Sequence, residues 1–185
     1  IEELREALDS AAEETDRLAQ LAEDLLVIAR SDQGRLPIRH ADIEIGEILS
    51  GVRERFARRA ADAGARLEVE HPADLRLLAD PLRLEQALGN MIDNALRHGG
   101  RLIEVAANRV DRAVELLVRD DGPGFPAEFL GAAFERFTRG DVARTRGGAG
   151  LGLAIVAAIA TAHGGGAEAR NRPERGADVW ISIPA

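Results

Sequence analysis

The sequence predicts an α+β fold: a two-layer sandwich with helices on one face of a mixed β-sheet, preceded by one long helix of coiled-coil type. Three observations carry this. Helical periodicity runs through residues 1 to about 33, 42–62 and 80–98, and an apolar helix follows at 151–163. Strand-like segments lie between and after these helices, at 67–70, 75–79, 101–109, 113–119, 167–171 and 177–183. No internal repeat is present, and the order helix, helix, strands, helix, strands, loop, helix, strands suits a layered sandwich.

Residues 1 to 33 place Leu4, Leu8, Ala11, Thr15, Leu18, Ala22, Leu25 and Ala29 at alternating spacings of four and three, with Leu21 and Ile28 beside the seam. Glu13, Glu14, Asp16, Arg17, Glu23 and Asp24 fill the rest of the surface. So narrow a stripe has to bury itself, either against a partner helix or against its own domain. Ser31-Asp32-Gln33-Gly34 and Pro37 end the helix. Residues 42–62 form a second amphipathic helix through Ile45, Ile48, Leu49, Val52 and Phe56, stopped by Gly64. Two short strands follow. Asp80-Pro81 then reads as the N-cap and first residue of a helix to about His98, with Leu84, Leu88, Met91, Ile92 and Leu96 inward. Strands 101–109 and 113–119 are antiparallel neighbours joined near Val110-Asp111-Arg112. Residues 126–148 are loop-like and rich in Gly and Arg, interrupted by a short segment around 134–137. The last helix leads through Gly164-Gly165-Gly166 into the two closing strands.

Composition removes several chemistries. The 185 residues carry 24 basic and 32 acidic side chains, net −8, so the basic footprint of a nucleic-acid or anionic-lipid binder is absent. Without cysteine there is no disulfide scaffold, thiolate nucleophile or cysteine zinc site. Every basic residue is Arg, which excludes the P-loop lysine, the strand lysine of eukaryotic-type kinases and Schiff-base chemistry. No apolar run reaches about 18 residues, so the sequence reads as a soluble piece, and its start at Ile1 as one cut from something longer.

Four segments carry candidate chemistry. In Asp120-Asp121-Gly122-Pro123-Gly124-Phe125, directly after an apolar strand, the glycines admit close approach of a ligand and a carboxylate can accept from an exocyclic amine; a D-G hairpin turn is the alternative. Gly147-Gly148-Ala149-Gly150-Leu151-Gly152-Leu153 opens into a helix and makes either a phosphate cradle or a flexible linker. Asn90 and Asn94 share one helix face, where their carboxamides suit a magnesium ion that already holds phosphate oxygens, or serve as buried hydrogen-bonding groups. Arg97 and His98 follow, as phosphate-side groups or solvated helix-end charges. Phe134 and Phe137, in Phe134-Glu135-Arg136-Phe137-Thr138-Arg139-Gly140, either anchor a lid or form a satellite cluster.

Together and in this order, the four segments resemble the N, first glycine, F and second glycine boxes of the sensor histidine kinase ATP-binding domain, on the Bergerat fold shared with gyrase and mismatch-repair ATPases. The resemblance implies that residues 42–185 are the catalytic ATP-binding domain, with Gly176-Ala177 and Ile183-Pro184 in its last strand. Residues 34–41 become a linker. Residues 1–33, with Asp16-Arg17-Leu18 and Asp24-Leu25-Leu26, become the second helix of the dimerisation and histidine-phosphotransfer hairpin. Asn94 is then the magnesium ligand, with Asn90, Arg97 and His98 beside the phosphates. Asp120 holds the adenine amino group and Gly122 and Gly124 line the base. Arg139, Gly148, Gly150, Leu151, Gly152 and Leu153 complete the nucleotide set, the last four capping phosphates through backbone amides. Arg97 stands where the family often has Lys, and Ala177 where Thr is common.

The implied activity is transfer of the γ-phosphoryl group of Mg·ATP to a histidine, then to an aspartate of a response-regulator receiver domain. That histidine belongs to the first hairpin helix, which this sequence is expected to lack: none of His40, His71, His98 and His163 is followed by an acidic residue. The implied partners are ATP, magnesium, the missing hairpin helix, a second protomer in a homodimer and the response regulator, with no nucleic acid. The implied setting is the cytoplasmic side of an inner-membrane-anchored protein. Two alternatives remain at this point. A Bergerat-fold serine kinase of anti-sigma type normally carries Glu where Asn90 stands, and a nucleotide-sensing dimer scaffold would bind ATP without catalysis.

Overall fold

The computed structural model describes residues 2–70, 74–98, 100–138 and 149–185, and only part of the side chains in the first half of the leading helix. Along the chain come α1 (Glu2–Asp32), β1 (Ala41–Glu44), α2 (Ile45–Asp62), β2 (Arg66–Val69), β3 (Arg76–Ala79), α3 (Pro81–His98), β4 (Leu102–Val110) and β5 (Ala113–Asp120). The short α4 (Ala127–Leu130), α5 (Gly152–Ala162), β6 (Gly166–Asn171) and β7 (Ala177–Pro184) complete it.

The main sheet has five strands in the order β2-β4-β5-β7-β6. β2 runs parallel to β4 and every other pairing is antiparallel, so the sheet is mixed as expected. One strand face carries Ile103, Val105, Val114, Leu116, Val118, Val179, Ile181 and Ile183, all nearly inaccessible. α2, α3 and α5 lie on that face and fill it with Phe56, Leu84, Leu88, Met91, Ile92, Ile155 and Ile159. Each such side chain contributes roughly 1.5–3 kcal/mol by leaving water.

Among the described residues the opposite face carries no helix, and a row of charges lies across it instead. Glu104, Arg119, Asp178 and Arg170 lie side by side across four strands, alternating in sign. Asp178 is buried there, receiving Arg170 Nε at 2.9 Å and Nη2 at 2.7 Å, while the Arg170 guanidinium also lies 5.4 Å from the ring centre of Trp180.

Two expectations need correction. The second helix does not begin at Asp42: Ala41–Glu44 is extended and pairs antiparallel with β3, Ala41 against Ala79 and Glu44 against Arg76, and α2 starts at Ile45. Ile43 and Ile45 fit an alternating pattern as well as a helical one, and the pairing partner is distant in sequence. The short segment expected at 134–137 is turn, and the helix in that region is α4, which follows Pro126.

α1 presents two apolar faces, one to solvent and one to its own domain. Leu8 (62 % exposed), Leu18 (56 %) and Leu25 (44 %) face solvent. Leu21, Val27 and Ile28, beside that stripe, pack into the core, and α1 rests against α5. Arg136 adds an ion pair to Asp32 in the last turn of α1, with Nη1 2.6 Å from Oδ2 and Nη2 on Oδ1.

Candidate functional site

α3 and α5 build the site as an antiparallel pair. At one end Asp80 caps α3: its Oδ1 accepts the Arg83 N–H at 3.2 Å and its Oδ2 the Arg39 N–H at 2.9 Å. The Asp80 N–H donates to His163 Nε2 at 3.1 Å, and His163 Nδ1 lies 2.8 Å from the Ile159 carbonyl, so the ring proton sits on Nδ1. His163 closes α5, so this joint ties the start of one helix to the end of the other.

At the other end the two helices face across a cleft of about 210 Å³. From α3 come Asn90, Asp93, Asn94, Arg97 and His98; from the opposite side come Gly150, Leu151, Gly152 and Leu153. A Cβ on Gly152 would lie 3.5 Å from Asn90 Oδ1, so the asparagine and the glycine segment are immediate neighbours. Leu151 caps α5 without a side-chain hydrogen bond, which leaves first-turn amides for an anion. Asp93 is turned toward α2, where Arg59 Nη2 approaches its Oδ1 at 2.5 Å without hydrogen-bond alignment.

Asp120, Gly122 and Gly124 do not line that cleft; they sit at and just after the end of β5, and the Gly122 position adjoins the carbonyl of His98, which does line it. A Cβ on Gly122 would lie 2.7 Å from Asp120 Oδ1 and 3.5 Å from the His98 carbonyl, so no other residue fits there without movement. Asp120 is 7 % exposed. Burial pushes its carboxyl above the usual range, opposed chiefly by the Gly122 N–H, which donates to Oδ1 at 2.8 Å. Asp121 behaves oppositely: the N–H groups of Leu102 (2.9 Å) and Arg101 (2.5 Å) converge on its Oδ1 and hold its carboxyl below the usual range. This segment is therefore a braced loop between elements, and β5 pairs with β4 and β7, so the hairpin-turn alternative does not hold.

Phe134 packs partly against the core, whereas Phe137 is 65 % exposed at φ 60°. The Phe137 N–H donates to the Gly150 carbonyl at 2.9 Å, which brings together the two ends of the segment containing 139–148. Arg139 and Gly148 lie outside the described residues, as does His71.

Sequence reasoning missed four contributors. Asn171 accepts the Phe125 N–H at 2.7 Å and donates to the Phe125 carbonyl at 2.8 Å, clamping the Gly124 loop from β6. His163 was a histidine without an acidic neighbour and so carried no local signal. Gln20 and Asp24 of α1 line the cleft beside Asn94; burial pushes the Asp24 carboxyl above the usual range.

The residues fit a magnesium-bearing nucleotide. A buried carboxylate stands beside glycines that leave no room for Cβ, two neutral carboxamides sit on the α3 wall, and uncapped amides face them. Among the described residues no group of three or more His, Cys, Asp or Glu forms a metal cluster, so a metal here would share its coordination with phosphate oxygens.

Residues 79–185 match the family model described as histidine kinase-, DNA gyrase B-, and HSP90-like ATPase. A probable sensor histidine kinase of Mycobacterium tuberculosis (strain CDC 1551 / Oshkosh) is 46% identical over 183 residues, covering 99% of this chain and 48% of the relative. The sensor histidine kinase component HK1 of strain ATCC 25618 / H37Rv is 49% identical over 130 residues, covering 70% of this chain and 75% of that protein. Among solved structures, full-length ShkA in complex with AMPPNP superposes with a TM-score of 0.84 at 31% identity, over 97% of this chain and 38% of that one. The chain spans about half the length of the first of these relatives. With more than half of its residues in the family model, the chain belongs to the histidine kinase-, gyrase B- and HSP90-like ATPases, and among them to the sensor histidine kinases.

Proposed function

We propose that this chain binds Mg·ATP between the C-terminal half of α3 and the 120–125 and 149–153 segments, and donates the γ-phosphoryl group to a histidine of the dimerisation hairpin whose second helix is α1. Residues 1–33 then belong to that hairpin, 34–41 link it, and 42–185 form the catalytic domain. The observation that carries the reading is the pairing of Asn90 and Asn94 with Gly150 to Leu153 across one cleft, with the buried Asp120 beside Gly122, whose position adjoins the carbonyl of the cleft residue His98. The AMPPNP in the ShkA structure supports the same reading.

Asp120 accepts the adenine amino group, Gly122 and Gly124 admit the flat base, and the amides at 150–153 hold phosphate oxygens. Magnesium, held by Asn94, would neutralise charge on the β- and γ-phosphates. Asn90, Arg97 and His98 keep the phosphate chain in line. Positioning and charge neutralisation are what phosphoryl transfer requires of a protein. In the whole protein the phosphoryl group passes on to a response-regulator aspartate. The direct test is γ-labelled ATP with a full-length kinase carrying this sequence: acid-labile, base-stable phosphate supports transfer to histidine, and label stable to acid counts against it.

Asn94→Ala is expected to weaken Mg·ATP binding about tenfold, the loss of one ligand-strength contact, with metal-free ATP little changed. Calorimetry showing equal losses with and without magnesium would remove Asn94 from the metal site. The exposed stripe of α1 predicts self-association, because Leu8, Leu18 and Leu25 in water forgo roughly 1.5–3 kcal/mol each. Sedimentation should show dimers at high concentration that Leu18→Asp with Leu25→Asp abolishes; a dimer indifferent to both substitutions uses another surface.

A further inference from the structure

α1 reaches the cleft as well as the core. Gln20 and Asp24 stand one turn apart, next to the face that carries Leu21 and Ile28, and both line the cleft together with Asn94, Arg97 and Gly150. Gln20 Nε2 donates to Asp24 Oδ1 at 2.9 Å and fixes that carboxylate oxygen. Leu21, Val27 and Ile28 in the core, with the Arg136 to Asp32 ion pair beyond them, hold the helix in place, so the carboxylate is a built part of the wall. No glycine or asparagine motif accounts for it.

A carboxylate in this wall meets a triphosphate as one more negative charge. Metal-free ATP has four charges with which to be repelled, whereas ATP whose β- and γ-oxygens already hold a divalent cation presents that cation's charge as well. We propose that Asp24, positioned by Gln20, makes the cleft selective for metal-bound over metal-free nucleoside triphosphate, an inference that rests on the nucleotide reading above. Asp24 is then a specificity-determining residue supplied by the helix outside the ATP-binding fold, and the cleft is completed only when α1 lies against α5.

Calorimetry on the whole chain with ATP and magnesium, ATP and chelator, and AMP separates the outcomes. Asp24→Asn should bind metal-free ATP about tenfold more tightly than the parent, the size expected from removing one unit charge near another in a screened protein surface. AMP, which lacks the β- and γ-phosphates, should bind both proteins alike, and Asp24→Glu should keep the parent's preference for the metal complex. Metal-free ATP that binds Asp24→Asn as weakly as it binds the parent overturns the proposal. A gain shared equally by AMP overturns it too, because that marks a purely structural effect. Failure of the parent to bind Mg·ATP at all would instead sink the nucleotide reading itself.

Discussion

Gly176→Ala is expected to destabilise the chain by about 3 kcal/mol or more, far beyond an ordinary glycine substitution. Gly176 holds φ at 96°, a region that L side chains rarely adopt. A Cβ there would lie 1.9 Å from the Asp120 carbonyl oxygen and 2.8 Å from its carbon, both backbone atoms that cannot rotate away. Either the end of β5 or the start of β7 must shift, and both border Asp120, so nucleotide affinity should fall with stability. Gly34→Ala is the control: its φ is also positive, at 60°, but nothing lies within 4 Å of the added carbon. That variant should cost about 1–2 kcal/mol, the price of the left-handed conformation alone. Urea unfolding of the two variants decides the matter, and equal midpoint shifts would show that the Asp120 contact is not restrictive.

On the proposed nucleotide site, Asp120→Ala should weaken binding by about 1–3 kcal/mol, between five- and two-hundredfold, by removing the charge-assisted hydrogen bond proposed to the adenine amino group. The substitution also strips the Gly122 N–H of its acceptor. A pH signature accompanies it. Burial raises this carboxyl in the folded chain, so between the unfolded value of about 3.9 and the raised folded one, the folded state holds more protons than the unfolded. The group's contribution to stability therefore falls as pH rises through that window. Binding has the opposite dependence, because the ionised carboxylate is the stronger acceptor for the amine. Affinity should drop on acidification while ordinary carboxylates are still charged, and Asp120→Asn should flatten that part of the curve. Unchanged affinity in Asp120→Ala would place the adenine elsewhere.

The parts of the fold that the sequence showed are those whose cause is local. Glycine pairs, the Asp80-Pro81 start and the spacing of Asn90 and Asn94 are legible because each depends on a few neighbouring residues. The pattern predicts helix from Asp42, and the strand that forms there instead has its cause in β3, where Leu78 pairs with Asp42 and Leu77 with Ile43. The parallel pairing of β2 with β4 has no local signature either, as it is fixed by the α3 crossover that separates them. Asn171 braces Phe125 from 46 residues away, and His163 meets Asp80 across 83. The two faces of α1 were visible as two sets of apolar positions, but only the packed structure says which set turns toward α5.

The joint between Asp80 and His163 governs how the cleft can move. α3 and α5 are fastened at the end remote from Asn90 and Gly152, about ten residues or 15 Å away along each helix. A pair of rods fastened at one end behaves as tweezers: a small angular play at the joint becomes a larger change of gap at the tips. With the far end pinned by backbone and ring nitrogen and the middle packed with Leu88, Ile155 and Ile159, the rods are stiff. The gap between Asn94 and Gly150 is then set from the far end of the pair as much as from its own lining.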